Sequence, residues 1–185
     1  MLIKRVLGSG LVAVLVATTV AVATAPTAAL AAAPLIDGGQ YTITNLATGK
    51  NLAVNGGQDQ NGAKVIQYRE TYTNGHVIDD QVWELDELGG GYWGIRNLGT
   101  NPHKALAINN HGLVNGVGAI QYDYHPEYAD QVWYFPSQGS YWKLQNLNSG
   151  KCLAIAGGEV VDGKQAIQYD CLNYNDQLWV LNLVN

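Results

Sequence analysis

The tetrapeptides Asp80-Gln81-Val82-Trp83, Asp130-Gln131-Val132-Trp133 and Asp176-Gln177-Leu178-Trp179 recur at intervals of 50 and 46 residues, each closing a longer block. Upstream of them lie Ile66-Gln67-Tyr68, Ile120-Gln121-Tyr122 and Ile167-Gln168-Tyr169. Before these come Leu52-Ala53-Val54, Leu106-Ala107-Ile108 and Leu153-Ala154-Ile155, preceded by Asn45-Leu46, Asn97-Leu98 and Asn146-Leu147. The step from the block's leucine to its glutamine is 15 residues in all three copies. A period of this kind means that one supersecondary unit is built three times and buries its apolar face against its own copies. Length varies between Tyr68 and Asp80 in the first copy and between Leu98 and Leu106 in the second, as expected where loops absorb insertions and strands keep register.

Each copy reads as short strands. Tyr41 to Thr44, Trp93 to Arg96 and Trp142 to Gln145 are β-prone and run into turns rich in Asn, Gly and Thr or Ser. The Leu-x-Val/Ile, Ile-Gln-Tyr and Gln-x-Trp runs supply three more strands per copy, and no window carries a helical period of 11 or more residues. The chain is therefore expected to be all-β, with twelve strands. Repeats of this length are long for a solenoid, and a propeller needs at least about four blades. Threefold closure around one shared core remains, with Trp83, Trp133 and Trp179 each contributing a buried ring.

The amino terminus has a different character. Met1 to Arg5 carries two cations, Val6 to Ala25 is apolar, and small residues follow as far as Ala29-Leu30-Ala31. A positive head, an apolar middle and an A-x-A site predict a secretory signal peptide over residues 1–31. The apolar run could span a bilayer at roughly 20 residues, but the cleavage-type tail argues for removal and for no remaining membrane contact. This leaves a short leader over 32–37 and one domain over 38–185, with repeats at about 38–90, 91–139 and 140–185. A chain of that size buries about 68–70% of its unfolded surface and is expected to stand as a monomer. Secretion places Cys152 and Cys171, the only cysteines, in an oxidising compartment, so they are expected to pair.

The formal net charge is -5, and -7 without Lys4 and Arg5, which argues against nucleic acid as a partner. Only 14% of residues are charged while 47% are apolar, a composition that folds. Catalytic signatures are lacking. Ser137, Ser140 and Ser149 lie in turn-like segments, and His76, His103, His111 and His125 have no i, i+4 spacing. An acid pair such as Glu70 with Asp80 is of a kind that almost any acidic protein offers. No metal ligand cluster and no cofactor are expected.

The thrice-repeated Gln-x-Trp, with its Leu-x-Val/Ile and Gln-aromatic runs, resembles the ricin B-type lectin domain across residues 38–185. The resemblance implies a β-trefoil with pseudo-threefold symmetry, and Cys152 and Cys171 stand where that family places a bridge within one repeat. It also implies up to three shallow sugar pockets, each with an Asp after the Leu, a stacking ring, and a polar residue before Gln-x-Trp. Carried over residue by residue, the Asp position falls on Ala53, Ala107 and Ala154, so that acceptor is missing throughout. The ring position falls on Tyr68, Tyr122 and Tyr169, and the polar position on Asp80, Asp130 and Asp176. Adjacent strand residues face opposite sides, so Gln168 is expected inward on backbone partners and Tyr169 outward. The three tyrosines are either sugar platforms or cross-strand packing residues. Repeat 2 adds Tyr124, His125 and Tyr128 nearby, and repeat 3 adds Asn173 and Tyr174. The expected function is weak, multivalent, non-catalytic carbohydrate binding. The alternative is a trefoil that lost its sugar sites with the aspartates and binds a protein, for example as a hydrolase inhibitor.

Overall fold

Strand alternation in the chain is set by apolar residues two apart that turn to one interior. In the computed structural model, which describes residues 31–184, Ile43, Ile95 and Leu144 hold the same inward position in the three repeats. Leu52, Leu106 and Leu153 form the next set, and Val54, Ile108 and Ile155 the one after. Trp83, Trp133 and Trp179 are all 0% exposed. Each indole Nε1 donates to the carbonyl of the leucine in its own repeat: Leu52 at 2.9 Å, Leu106 at 3.0 Å and Leu153 at 3.1 Å. The ring's single polar atom is thereby satisfied inside the core. The expected signal peptide lies outside the described residues except for Ala31.

The first repeat contains β1 (Gln40–Asn45), β2 (Asn51–Val54), β3 (Val65–Tyr68), β4 (Tyr72–Thr73), β5 (His76–Val77) and β6 (Trp83–Gly89). Next come β7 (Tyr92–Asn97), β8 (Lys104–Ile108), β9 (Ala119–Tyr122), β10 (Val132–Tyr134) and β11 (Ser137–Gln138). The chain finishes with β12 (Tyr141–Trp142), β13 (Gln145–Asn146), β14 (Cys152–Ala154), β15 (Ile167–Tyr169) and β16 (Trp179–Leu183). These sixteen segments are the twelve expected strands with three local differences. The insertion after Tyr68 forms its own small hairpin, β4–β5. The strand equivalent to β6 is split into β10 and β11 at Phe135-Pro136, where proline has no N–H to donate to a ladder. The opener of the third repeat is split into β12 and β13 around Lys143-Leu144.

Closure is antiparallel throughout. β1 pairs with β16 from Tyr41 opposite Leu183 to Asn45 opposite Trp179, and also meets β6. The first and last strands are therefore neighbours, and closing the sheet removes exposed edges. A second closure links the three β-hairpins β2–β3, β8–β9 and β14–β15. Each buried Ile-Gln-Tyr glutamine reaches into the loop of the neighbouring repeat. Gln67 Nε2 donates to Glu159 O (2.6 Å) and Val161 O (2.8 Å), Gln121 to Gln58 O (2.6 Å), and Gln168 to Gly112 O (2.8 Å) and Val114 O (2.9 Å). The inward glutamine expected at position 168 is thus one of three, and each locks one repeat to the next. Cys152 and Cys171 form a disulfide with their Cα atoms 5.0 Å apart, tying β14 to the loop after β15. Among the described residues, no helix is long and apolar enough to cross a membrane.

Candidate functional site

Two short 3-10 turns face each other in every repeat. One follows the Leu-x-Val/Ile strand and spans Asn55–Gly57, Asn109–His111 or Ala156–Gly158. The other precedes Gln-x-Trp and spans Asp79–Gln81, Ala129–Gln131 or Asn175–Gln177. Between the turns lie three clefts, of about 340 Å³ in repeat 1, 630 Å³ in repeat 2 and 490 Å³ in repeat 3. Each cleft brings together the residues aligned from the sequence. Ala53, Tyr68 and Asp80 line the first, Ala107, Tyr122 and Asp130 the second, and Ala154, Tyr169 and Asp176 the third. The alanines form a buried floor, whereas Tyr68, Tyr122 and Tyr169 are 37%, 42% and 41% exposed.

The aspartates are held by the backbone. The asparagine of the following Asn-Leu pair crosses the repeat boundary and donates from Nδ2 to the aspartate's own carbonyl. Asn97 reaches Asp80 at 3.0 Å, Asn146 reaches Asp130 at 2.8 Å, and Asn45 reaches Asp176 at 2.9 Å. The Gln-x-Trp glutamine fixes the rim on the other side. Gln81, Gln131 and Gln177 each donate from Nε2 to the carbonyl of the residue after the platform tyrosine, Arg69, Asp123 or Asp170, at 2.9 Å. The same three glutamines accept at Oε1 from the backbone N–H of Thr71, His125 and Leu172. These glutamines and tryptophans are scaffold, and the carboxylates they position are left over for other work.

Asp80 and Asp176 each have a carboxylate oxygen, Oδ1, that is buried and has no hydrogen-bond partner in the protein. Burial, reinforced by the neighbouring Asp79, pushes the Asp80 carboxyl up to about 6. Burial also raises Asp176, partly offset by its own backbone hydrogen bond. An unsatisfied buried acceptor carries a desolvation cost of about 1–3 kcal/mol or more, which a donor entering the cleft relieves. Asp130 is 5% exposed and already has a donor, since His111 Nδ1 lies 2.7 Å from its Oδ1.

This difference follows from the first turn. Gly56-Gly57 and Gly157-Gly158 take φ of 59° to 66°, and the matching pair in repeat 2 is Asn110-His111 at 53° and 51°. Glycine adopts this region without penalty, while other residues do so at a cost that clusters at functional positions. His111 is held there with its ring edge against Tyr128 (6.1 Å, 85°), and His125 stacks on the same tyrosine at 4.7 Å. Tyr128 and Tyr174 stand three residues before the Gln-x-Trp glutamine and line clefts 2 and 3, where cleft 1 has Ile78. Tyr128 and Tyr174, grouped with the clefts in the sequence, are their second rings, whereas His111 is not singled out there and its one sequence signal is the exchange of Gly-Gly for Asn-His in repeat 2.

Two residues grouped with the clefts in the sequence lie elsewhere. Tyr124 packs over Arg96, with the guanidinium 5.3 Å from its ring centroid, and burial raises its hydroxyl to about 12. Arg96 in turn pairs with Glu84 and Asp86, so this ring belongs to an ion cluster. Asn173 accepts a bond from Lys143 Nζ at 2.9 Å and does not line cleft 3.

Residues 32–122 and 129–185 match the family described as ricin-type beta-trefoil lectin domain-like. Among solved structures, the designed threefold-symmetric protein ThreeFoil is 33% identical, with a TM-score of 0.70 over 79% of this chain and 98% of its own. An exo-β-1,3-galactanase from Clostridium thermocellum is 30% identical, with a TM-score of 0.72 over 80% of this chain but only 31% of its own. The Macrolepiota procera ricin B-like lectin, solved with lactose, shares the fold at 18% identity and a TM-score of 0.66, over 81% of this chain and 99% of its own. No curated protein matches the chain. Three in-phase repeats, a core of three tryptophans and three equivalent clefts agree with that family match, and the chain belongs to the ricin-type β-trefoil lectin-like family.

Proposed function

We propose that this chain is a secreted, non-catalytic carbohydrate-binding module that acts as a monomer through three weak sites. The observation that carries the reading is the triple coincidence of an exposed tyrosine with a partly or fully buried acid in equivalent clefts, two of the acids having a buried oxygen without a donor. A pyranose presents an apolar C–H face to a ring and hydroxyls to an acceptor, and the cleft offers both. Asp80, Asp130 and Asp176 then take the acceptor role that Ala53, Ala107 and Ala154 cannot. Hydrogen bonds to an ionised acceptor are about twice as strong as neutral ones. A single shallow cleft with one such bond is expected to bind at about 1 mM, roughly -4.1 kcal/mol. Three such sites on one rigid body gain retention on a polymer by multivalency.

The test is a pull-down of wild type, Tyr122→Ala, Tyr169→Ala and the double variant with insoluble galactan, xylan, cellulose and chitin, after circular dichroism has confirmed folding. Wild type should be retained on at least one polymer and the double variant should lose most of that retention. A folded double variant that binds like wild type overturns the tyrosine platforms. The alanine floor favours one second reading, a protein-binding trefoil, and a wild type that binds no polysaccharide moves that reading ahead.

A further inference from the structure

Outside the three clefts, one pair of exposed rings has no counterpart elsewhere in the fold. Tyr92 on β7 and Tyr134 on β10 face each other across the ladder, with centroids 6.1 Å apart and planes at 56°. They are 37% and 44% exposed. The same cross-strand position in repeat 1 is Gln40 opposite Glu84. In repeat 3 Trp142 faces Trp179, so Val180 takes the place of Tyr134. The ring pair is thus not demanded by the trefoil, whose other two copies close without it. The hairpin tip before Tyr92 is Gly89-Gly90-Gly91, all at positive φ, and a Cβ on Gly91 would meet the Tyr134 ring at 3.7 Å. The tip therefore carries no side chain over the ring faces.

The two tyrosines open onto a groove of about 200 Å³ that continues over Gln145, Asn146 and Leu147 and contains no charged residue. The same turn is hydrogen-bonded to the backbone of residues that line cleft 2. Asn146 donates to Asp130 O at 2.8 Å, Asn148 Nδ2 donates to His111 O at 3.0 Å, and Asn148 N donates to Ala129 O at 3.2 Å. The groove and the largest of the three clefts are therefore linked by one short turn, which lines the groove at Asn146 and Leu147 and bonds the cleft residues Asp130 and His111. At about 200 Å³ the groove is smaller than the roughly 300–1,000 Å³ of a site that holds a small molecule by itself. It is also far smaller than the roughly 800 Å² per partner of a stable protein interface. Such a surface serves a ligand that is already tethered next door, where effective concentration replaces intrinsic affinity.

We infer that Tyr92 and Tyr134 form an additional subsite of repeat 2, which stacks further sugar units of a neutral polysaccharide chain whose anchoring unit sits in the Tyr122–Asp130 cleft. The inference rests on the carbohydrate-binding reading above and adds that repeat 2 recognises chain length. The absence of charge in the groove specifies a neutral chain, and the paired rings specify pyranose faces.

The experiment titrates wild type, Tyr92→Ala/Tyr134→Ala and Tyr122→Ala with galactose, xylose and glucose and with their β-linked oligomers of increasing length. All three proteins are first checked by circular dichroism. Wild type should gain about tenfold in affinity between the short and long oligomers of the sugar it binds, one decade being the scale of a single added stacking contact. The Tyr92/Tyr134 double variant should bind the short sugar as wild type does and lose the gain, while Tyr122→Ala should weaken both. A double variant with the full gain, or a wild type with no gain, overturns the subsite and leaves the three clefts standing. A wild type that binds none of the sugars overturns both readings.

Discussion

Arg69 holds Asp162 of the third repeat through two bonds, its backbone N–H donating to Oδ1 at 3.0 Å and its Nε to Oδ2 at 2.7 Å. Lys50 adds a third contact to the same carboxylate at 2.6 Å. At the other two repeat boundaries the polarity is reversed. Asp123 meets Asn61, and Asp170 meets Asn115, each acid also pairing with the lysine of its own repeat, Lys104 or Lys151. One boundary out of three therefore exchanges an Asn-to-Asp contact for an Asp-to-Arg contact while keeping the bond to the backbone N–H.

This exchange predicts a compensating pair. Asp162→Asn alone should lower the melting temperature, because Lys50 and Arg69 lose their shared anion. Arg69→Asp with Asp162→Asn recreates the arrangement of the other boundaries and should recover most of the loss. Thermal unfolding of the two single variants and the double variant as a mutant cycle checks this, and strictly additive losses would contradict the exchange.

The acids at these boundaries also set the acid limb of stability. Hydrogen bonds from Lys104, Lys50 and Lys151 hold Asp123, Asp162 and Asp170 below the usual carboxylate range. Their contribution is complete above the unfolded value of about 3.9 and is lost as pH falls through the lower folded values. Asp80 has the opposite sign. Its folded value of about 6 lies above the unfolded one, so the native state binds the extra proton between about pH 4 and 6 and stability falls as pH rises through that window. Asp80→Asn should flatten that decline and raise the melting temperature at pH 7, with no difference below about pH 4. A pH series of thermal melts that superimposes on wild type would show that Asp80 is not the group responsible.

Burial makes the core the least tolerant region. Trp133→Ala is expected to cost about 3–5 kcal/mol in denaturant unfolding, and a variant as stable as wild type would show that this ring is not core. Gln168→Ala should cost about 1–3 kcal/mol because the Gly112 and Val114 carbonyls lose their donor. The glutamine of repeat 2 is the less complete latch. Ser149 and Thr48 donate to the Oε1 of Gln168 and Gln67, whereas Gln121 Oε1 has no partner, and Thr100 instead accepts from Lys104 N. Gln121→Ala should therefore cost less than Gln168→Ala.

Cleft 2 can be converted to the form of its neighbours by His111→Gly. The substitution releases a left-handed residue worth about 1–2 kcal/mol of backbone cost and removes one hydrogen bond to Asp130, so net stability should change by no more than about 1–2 kcal/mol. Asp130 then gains a free acceptor, and retention on a bound polysaccharide should rise or hold. A variant that folds normally and loses retention would assign His111 a direct part in binding.

The repeats made the trefoil readable, because three copies in phase fix both the inward positions and the loops that absorb length. The ring and acid columns of the clefts were readable for the same reason, since Tyr68, Tyr122 and Tyr169 each follow the leucine of their block by 16 residues and the three aspartates each precede the tryptophan by 3. His111 is legible only through the exchange of Gly-Gly for Asn-His in repeat 2, because its importance comes from occupying a left-handed position that is glycine in the other repeats. Tyr124 was misplaced for a related reason. It follows the platform tyrosine by two, as Cys171 does in repeat 3, and both side chains turn away from the cleft, one into the Arg96 cluster and the other into the disulfide. The Tyr92–Tyr134 pair depends on cross-strand register, which joins residues far apart in the chain.

The central claim is that the three clefts bind carbohydrate, and the most direct measurement is an amide chemical-shift titration of 15N-labelled protein with soluble oligomers of galactan, xylan and cellulose. The account predicts saturable shifts at the amides of Asp80, Asp130 and Asp176 and their 3-10 turns, each with an apparent Kd on the order of 1 mM. Binding whose shifts fall outside these turns, or no saturable shift with any of the oligomers, would contradict it.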